Sequence, residues 1–98
     1  MTESTEILPS SIIALDSRYL FRWEEAQQAH VLLYPEGLVK LNDTAAAILE
    51  LCDGKTSVED LASHLAAKFD GDDIETIQTG VFKFLEVAHA KGWIRINP

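Results

Sequence analysis

Two short segments in the N-terminal half alternate apolar and polar residues with the period of two that is typical of a half-buried β-strand. In Tyr19–Glu24, Phe21 and Trp23 point to one face. His30–Tyr34 repeats the alternation, and the polar segment Glu25–Gln28 between the two has the length of an antiparallel hairpin loop. The sequence therefore predicts two paired strands in this region.

The stretch from Tyr34 to Gly37, YPEG, predicts a second hairpin turn. Proline suits the second turn position because its φ is fixed, and glycine suits a left-handed position after a type I turn. The turn leads into a third strand, Leu38–Leu41, whose Val39 can face a core. Because no later segment is typical of a neighbouring strand, one side of the third strand is expected to present unpaired N–H and C=O groups.

Three segments with helical spacing follow the third strand. The first, Thr44–Leu51, contains three consecutive alanines, and Asn42 or Asp43 can cap its start. Asp53 followed by Gly54 is typical of a helix stop. A short helix is therefore predicted directly after the sheet.

The two later helices are marked by caps and by apolar stripes. Thr56 with Glu59 three residues on predicts a capping box at the start of one helix. Asp72 or Asp73 can cap the other, and Trp93–Ile96 follows it as a short extended segment. The apolar stripes comprise Val58, Leu61, Ala62, Leu65, Ala66 and Phe69 in the first of these helices, and Ile74, Ile77, Val81, Phe84, Leu85 and Ala88 in the second.

These elements predict an α+β fold, a three-stranded antiparallel sheet followed by three helices, with a winged helix-turn-helix-like arrangement. A chain of 98 residues has room for one hydrophobic core. Residues 1–11 carry no regular apolar pattern and are predicted to be a flexible N-terminal tail. The domain is therefore expected to span residues 12–98.

Acidic residues outnumber basic ones by 16 to 8, which gives a formal net charge of -8. This charge opposes binding to nucleic acid and to anionic lipid surfaces. A winged-helix DNA-binding protein, the main alternative, would need a basic recognition helix, whereas the last helix begins with Asp73 and Glu75. No apolar run approaches the length of a membrane span and no signal peptide is indicated, so a cytoplasmic location is expected.

The common sequence signatures of catalysis are missing. The single cysteine, Cys52, follows apolar residues and has no second cysteine to pair with, which indicates a structural thiol in a reducing compartment. Asp60 and His64 stand four residues apart on a helix face, a spacing that is more typical of a solvated surface pair than of a metal site. We therefore expect no enzyme activity, no metal and no cofactor.

An apolar helix face beside an exposed strand edge is the arrangement that captures an extended peptide by strand addition. Alternate side chains of the guest would then enter the groove between strand and helix. Val81 and Leu85 also suit a purely structural role in the core, whereas Phe82 lies off the apolar stripe of its helix. The residues that this reasoning places in the groove include Leu38, Lys40, Gln78, Val81, Phe82 and Leu85.

Several blocks of the sequence are distinctive beyond their periodicity. They are Trp23–Gln27 (WEEAQ), His30–Gly37 (HVLLYPEG), Leu41-Asn42 and Cys52–Gly54 (CDG). Together these blocks resemble the PqqD family, small proteins of pyrroloquinoline quinone biosynthesis. The resemblance covers roughly Arg18–Ile96, and the unbroken segment from His30 to Asn42 is its most specific part.

The resemblance implies a peptide chaperone that has no catalytic role of its own. Proteins similar to PqqD bind the precursor peptide PqqA and present it to the radical SAM enzyme PqqE, so PqqA and PqqE are the implied partners. The bound leader segment is implied to lie along the third strand and to pack against the last helix. The implied groove comprises Leu38, Val39, Lys40 and Leu41 on the strand, and Gln78, Val81, Phe82 and Leu85 on the helix.

Three functional hypotheses result: a leader-peptide adaptor, a winged-helix DNA-binding protein, and a small oligomeric structural module. The open strand edge can also pair with the same edge of a second copy, so a dimer is compatible with the sequence, although a monomer is the expected working species.

Turn and packing roles suffice for four further residues, which are expected to be scaffold. They are Trp23, Tyr34, Pro35 and Gly37.

Overall fold

Six strands and three helices occupy residues 7–68 and 73–97, the part of the chain that this computed structural model describes. The strands form two three-stranded antiparallel sheets, ordered β2-β3-β4 and β5-β1-β6. The strands are β1 (Ile12–Leu15), β2 (Leu20–Glu24), β3 (Ala29–Tyr34), β4 (Gly37–Lys40), β5 (Asp53–Ser57) and β6 (Ile94–Asn97). The helices are α1 (Asp43–Glu50), α2 (Val58–Lys68) and α3 (Ile74–Ala90).

The predicted α+β order, a three-stranded antiparallel sheet followed by three helices, is confirmed by β2, β3, β4 and the helices. Both predicted hairpins are present, because β2 pairs with β3 and β3 pairs with β4. The expectation of a left-handed Gly37 is wrong: its φ is not positive, and it pairs with Tyr34 as the first residue of β4. The two-residue loop of Pro35 and Glu36 therefore closes the hairpin without a left-handed residue.

The second sheet, β5-β1-β6, was not predicted from the sequence. Asp53 and Gly54, taken as a helix stop, begin β5, where a positive φ of 79° at Gly54 accompanies the irregular register against β1. The extended segment predicted after the last helix is the edge strand β6, with Ile96 opposite Ile13. The local pattern did not predict this sheet because β5 is polar. In addition, both strand pairs of the sheet, β5 with β1 and β1 with β6, join distant parts of the chain.

Helix α2 begins one residue later than the predicted capping box requires. The Ser57 hydroxyl accepts the Asp60 N–H at 3.2 Å, whereas the Thr56 hydroxyl donates to Asp53. Ser57 is therefore the cap, and the predicted pairing of Thr56 with Glu59 is wrong. The other helix caps agree with the sequence, since Asn42 caps α1 and Asp73 caps α3.

Residues 7–11 pack against the domain, although the sequence placed them in a flexible tail. The side chain of Ile7 is only 8% exposed and belongs to the core cluster. The carbonyls of Pro9 and Ser11 accept the N–H groups of Glu59 and Val58, each at 2.9 Å. This segment therefore satisfies donors at the start of α2 that a helix leaves without intrahelical partners. The predicted tail also includes residues 1–6, which lie outside the described residues.

One hydrophobic core joins both sheets and all three helices. Its most buried side chains come from different elements and are each at most 2% exposed. Ile74, which the sequence places in the apolar stripe of α3, is 41% exposed, whereas Ile77 in the same turn packs against the core. Phe69, assigned to the stripe of α2, lies outside the described residues. The largest fully buried side chains are Ile13, Leu32, Ile48, Leu61, Leu65, Leu85, Val31 and Val58.

The position of the α2 cap leads to a stability prediction. We expect Ser57→Ala to lower the free energy of unfolding by about 1 kcal/mol, because the Asp60 N–H loses its acceptor. Urea denaturation followed by circular dichroism measures this change. Glu59→Ala is the matched control and should have little effect. A larger loss of unfolding free energy for Glu59→Ala than for Ser57→Ala would instead support the capping box that the sequence predicted.

Candidate functional site

Strand β4 is an edge strand. It pairs with β3 on one side, and within residues 7–68 and 73–97 no strand pairs with its other side. The predicted open edge at residues 38–41 is therefore present. Lys40 and Leu38, which is 43% exposed, carry exposed side chains on this strand.

The pairing register decides which backbone groups of β4 point away from the sheet. The Leu41 N–H donates to the His30 carbonyl at 2.9 Å, and Val39 lies opposite Leu32. In an antiparallel pair, hydrogen-bonded residues alternate with residues whose N–H and C=O point outward. Val39 and Leu41 therefore bond to β3, whereas Leu38 and Lys40 direct their N–H and C=O groups to the open edge.

A cavity of about 340 Å³ lies between α1 and α3. Its wall begins at Asn42, two residues after the end of β4, so the cavity lies near the C-terminal end of the edge strand, although its described lining includes no residue of β4. Most of the wall is apolar, and threonine and asparagine side chains contribute the polar part. The lining residues are Asn42, Thr44, Ala45, Ile48, Leu65, Thr76, Ile77, Gly80, Val81 and Phe84.

The two faces of β4 differ in what they contact. Val39 and Leu41 point to the helix-facing side, where both pack in or against the core. Leu38 and Lys40 point to the opposite, outer side, since side chains alternate along a strand. We call the open edge of β4 together with the adjacent α1/α3 cavity the edge cleft. It combines unpaired backbone groups with an apolar hollow on one side of them.

The edge cleft contains only part of the residue set expected from the sequence. Val81 lies in the cavity wall and is 2% exposed. Leu85 is fully buried in the core and, like Gln78 and Phe82, is not among the residues that line the cavity in the described part of the chain. The half-buried Phe82 packs against the core instead. Of the four helix residues expected in the groove, therefore, only Val81 lies in the cavity wall, and contact of any of them with a peptide stays a prediction.

Several cavity residues were missed by the sequence reasoning. Thr76, Ile77, Gly80 and Phe84 share one face of α3, rotated from the expected face by about one residue, which corresponds to about 100°. Ile77 and Phe84 belonged to the predicted apolar stripe, but their role as a cavity wall carries no sequence signal. Gly80 did carry a signal, because a glycine inside a helix is less favourable than alanine by about 1 kcal/mol.

The thiol of Cys52 is buried and remains protonated at neutral pH. Burial, with a smaller contribution from the negative charge of Asp53, raises the pKa of Cys52 from 9.0 to about 12. The sulfur lies 3.4 Å from the Ile48 carbonyl, to which it donates, and the residue is 4% exposed. Since the thiolate is the reactive form, these features support the predicted structural role.

The Cys52 environment predicts both labelling and pH dependence. We expect native protein at pH 8 to resist a thiol reagent and urea-unfolded protein to react fully, as measured by absorbance with a chromogenic disulfide. Because the folded pKa lies above the unfolded value, the neutral thiol favours the folded state below pH 9. That contribution to stability should disappear as pH rises from 9.0 to about 12. Rapid labelling of native protein would contradict this account.

Charged groups near the edge cleft have structural roles. A backbone hydrogen bond and a side-chain hydrogen bond from Thr76 hold the pKa of the helix cap Asp73 below its usual value, which keeps the cap ionised at neutral pH.

Over the described ranges, no group of three or more His, Cys, Asp or Glu side chains is arranged to hold a metal ion. No helix there has both the length and the hydrophobicity that crossing a bilayer requires.

The structure is similar to the solution NMR structure of the PqqD truncation of Methylobacterium extorquens PqqCD, with a TM-score of 0.76 and 30% sequence identity over 93% of this chain and 96% of the other. That domain is described as a functional, stand-alone recognition element for ribosomally synthesized and post-translationally modified peptides (RiPPs). The fold is thus that of a RiPP recognition element.

Sequence comparison gives the family. Residues 29–94 match the family model "Coenzyme PQQ synthesis protein D (PqqD)". The chain is 46% identical over 87 residues to the PqqA binding protein of Methylococcus capsulatus, covering 89% of this chain and 90% of that protein. It is 44% identical over 93 residues to the PqqA binding protein of Azotobacter vinelandii, covering 95% and 99%. The chain belongs to the PqqD family, as its sequence blocks indicated.

Proposed function

We propose that this chain is a peptide chaperone of pyrroloquinoline quinone biosynthesis, which binds the precursor peptide PqqA by adding it as a fourth strand beside β4. The observation that carries the proposal is the outward direction of the N–H and C=O groups of Leu38 and Lys40 next to an apolar cavity. Membership of the PqqD family and the names of the two relatives supply the identity of the peptide.

The pleat of the sheet determines which face each side chain of the bound peptide would occupy. Guest side chains on the same face as Val39 and Leu41 point toward the α1/α3 cavity, and the alternate side chains share the outer face with Leu38 and Lys40. Backbone hydrogen bonds supply affinity in this mode of binding, whereas the cavity supplies sequence preference. The apolar part of the wall, including Ile48 and Phe84, favours apolar guest side chains at alternate positions.

The second part of the proposal is presentation of bound PqqA to the radical SAM enzyme PqqE. Holding the peptide beside the enzyme raises its effective concentration, so modification accelerates although this chain contributes no reacting group. Part of the outer face of the sheet suits this task, because Leu38 and Lys40 are exposed there, whereas Val31, opposite Lys40, is buried. The outer face carries a row of three leucines in register across the strands, Leu20, Leu33 and Leu38, of which Leu20 is 56% exposed.

The same edge limits the oligomeric state. A dimer formed through β4 would occupy the backbone groups that the peptide needs, so we propose a monomer as the peptide-binding form. Sedimentation velocity measures this directly: if a dimer forms at high concentration through this edge, added PqqA should dissociate it.

Nuclear magnetic resonance titration with synthetic PqqA tests the proposal. Amide shifts should concentrate at residues 38–41 and between Thr76 and Phe84. Hydrogen exchange should slow at the Leu38 and Lys40 amides, whereas the Val39 amide is already bonded to β3 in the free protein. A scrambled peptide and duplex DNA are the controls. Absence of PqqA binding at high micromolar concentration would overturn the proposal.

The role of PqqE needs a separate measurement. Calorimetric titration of PqqA into the protein, repeated with PqqE present, should show a ternary complex. Turnover of PqqA by PqqE should fall when this chain is omitted. Equal turnover with and without the chain would overturn the presentation step and leave peptide binding intact.

A further inference from the structure

Gly80 lies in the interior of α3, a helix of 17 residues. Glycine there is less favourable than alanine, because it loses more conformational freedom on folding. Packing gives no reason for it: apart from its chain neighbours and its own helix backbone, no atom of the described residues lies within 4 Å of a Cβ built on Gly80. Its backbone gives no reason either, since its φ is not positive. Within residues 7–68 and 73–97, therefore, no contact of the free protein accounts for this glycine.

The surroundings of Gly80 suggest why a residue without a side chain stands there. Gly80 and Thr76 line the α1/α3 cavity, and both also line a shallow hollow on the outer side of α3. The cavity and the hollow therefore share Thr76 and Gly80 in their walls. A side chain at position 80 would project into the open space beside them. The other residues of the outer hollow are Asp73, Glu75, Thr79 and Lys83.

We infer that Gly80 is a specificity-determining residue, which leaves room for a bulky apolar side chain of the bound peptide to pack directly on the backbone of α3. This inference rests on the proposed function. The cavity volume of about 340 Å³ supports it, since a cavity of about 150 Å³ is enough to bind benzene. The preferred guest is therefore a peptide with a bulky apolar side chain that lies over Gly80.

The test uses a graded series, Gly80→Ala and Gly80→Leu. Both substitutions improve helix propensity and meet open space, so both should raise Tm, by about 4–8 °C for a domain of this size. Affinity for PqqA should move the other way, falling about tenfold for alanine and further for leucine, because filling an occupied site strains it. Calorimetry gives the affinity and a thermal melt gives Tm.

Val87→Ala and Val87→Leu form the matched control, because Val87 is 52% exposed on α3, does not line the cavity and also gains helix propensity. These variants should raise Tm without changing affinity. If Gly80→Ala and Gly80→Leu bind PqqA as well as the unchanged protein does, the inference is overturned and the proposed function stands. If the unchanged protein does not bind PqqA, the proposed function itself fails.

Discussion

Replacing Lys40 with proline is expected to weaken PqqA binding about tenfold or more while the domain stays folded. Proline removes the outward N–H of Lys40 and places its ring at the edge where the guest strand would pair. Leaving a guest carbonyl without a donor costs about 1–3 kcal/mol, and about 1.4 kcal/mol corresponds to a tenfold change in affinity. Isothermal calorimetry measures the loss, and circular dichroism verifies the fold.

Two further variants identify the cause of that loss. Lys40→Ala keeps the N–H, so it should bind PqqA nearly as well as the unchanged protein. Val39→Pro removes the N–H that bonds to Leu32 of β3, and should therefore lower the free energy of unfolding by about 1–3 kcal/mol. If Lys40→Pro binds normally, addition of the peptide along β4 is excluded.

Replacing Leu85 with alanine is expected to lower the free energy of unfolding by about 2–5 kcal/mol. Leu85 is fully buried in the core, so the substitution leaves a cavity that neighbouring side chains fill only in part. A domain of this size has a total stability of about 5–15 kcal/mol, so the loss is a large fraction of it. Urea denaturation at 25 °C measures the change.

The Leu85 variant also separates a core role from a groove role. Where Leu85→Ala remains folded, at low temperature without urea, its affinity for PqqA should stay close to that of the unchanged protein. Phe84→Ala, which alters the cavity wall, should lower the affinity instead. A Leu85→Ala protein with normal stability and weak PqqA binding would support the groove position that the sequence suggested.

The strand side of the edge cleft could be predicted because it depends on local rules. Two short turns force β2, β3 and β4 into consecutive antiparallel pairs, and this order leaves β4 at the edge. The sequence alone does not define which N–H and C=O groups of β4 point outward. In the structure, the hydrogen bond from the Leu41 N–H to the His30 carbonyl fixes this alternation. A shift of one residue in the register would have reversed the direction of every group.

The helix side of the edge cleft could be predicted only in part. The apolar stripe of α3 identifies its buried face, and Val81 and Leu85 are indeed buried. Which flank of that stripe borders the cavity depends on how α3 is rotated against α1, and a change of one residue is about 100°. For that reason the sequence places Gln78 and Phe82 in the groove, whereas the structure places Thr76 and Ile77 in the cavity wall. Which of these residues contact a peptide stays a prediction.

By itself the sequence determined the hairpins, the three helices and the open edge at β4, because turns, caps and apolar periods act over a few neighbouring residues. It also indicated the PqqD family, through the resemblance of its distinctive blocks. Only the tertiary structure decided the sheet β5-β1-β6, the packing of residues 7–11 onto α2 and the face of α3 that lines the cavity. Each of these depends on contacts between distant segments, whose energy comes from burial and pairing that no local pattern records.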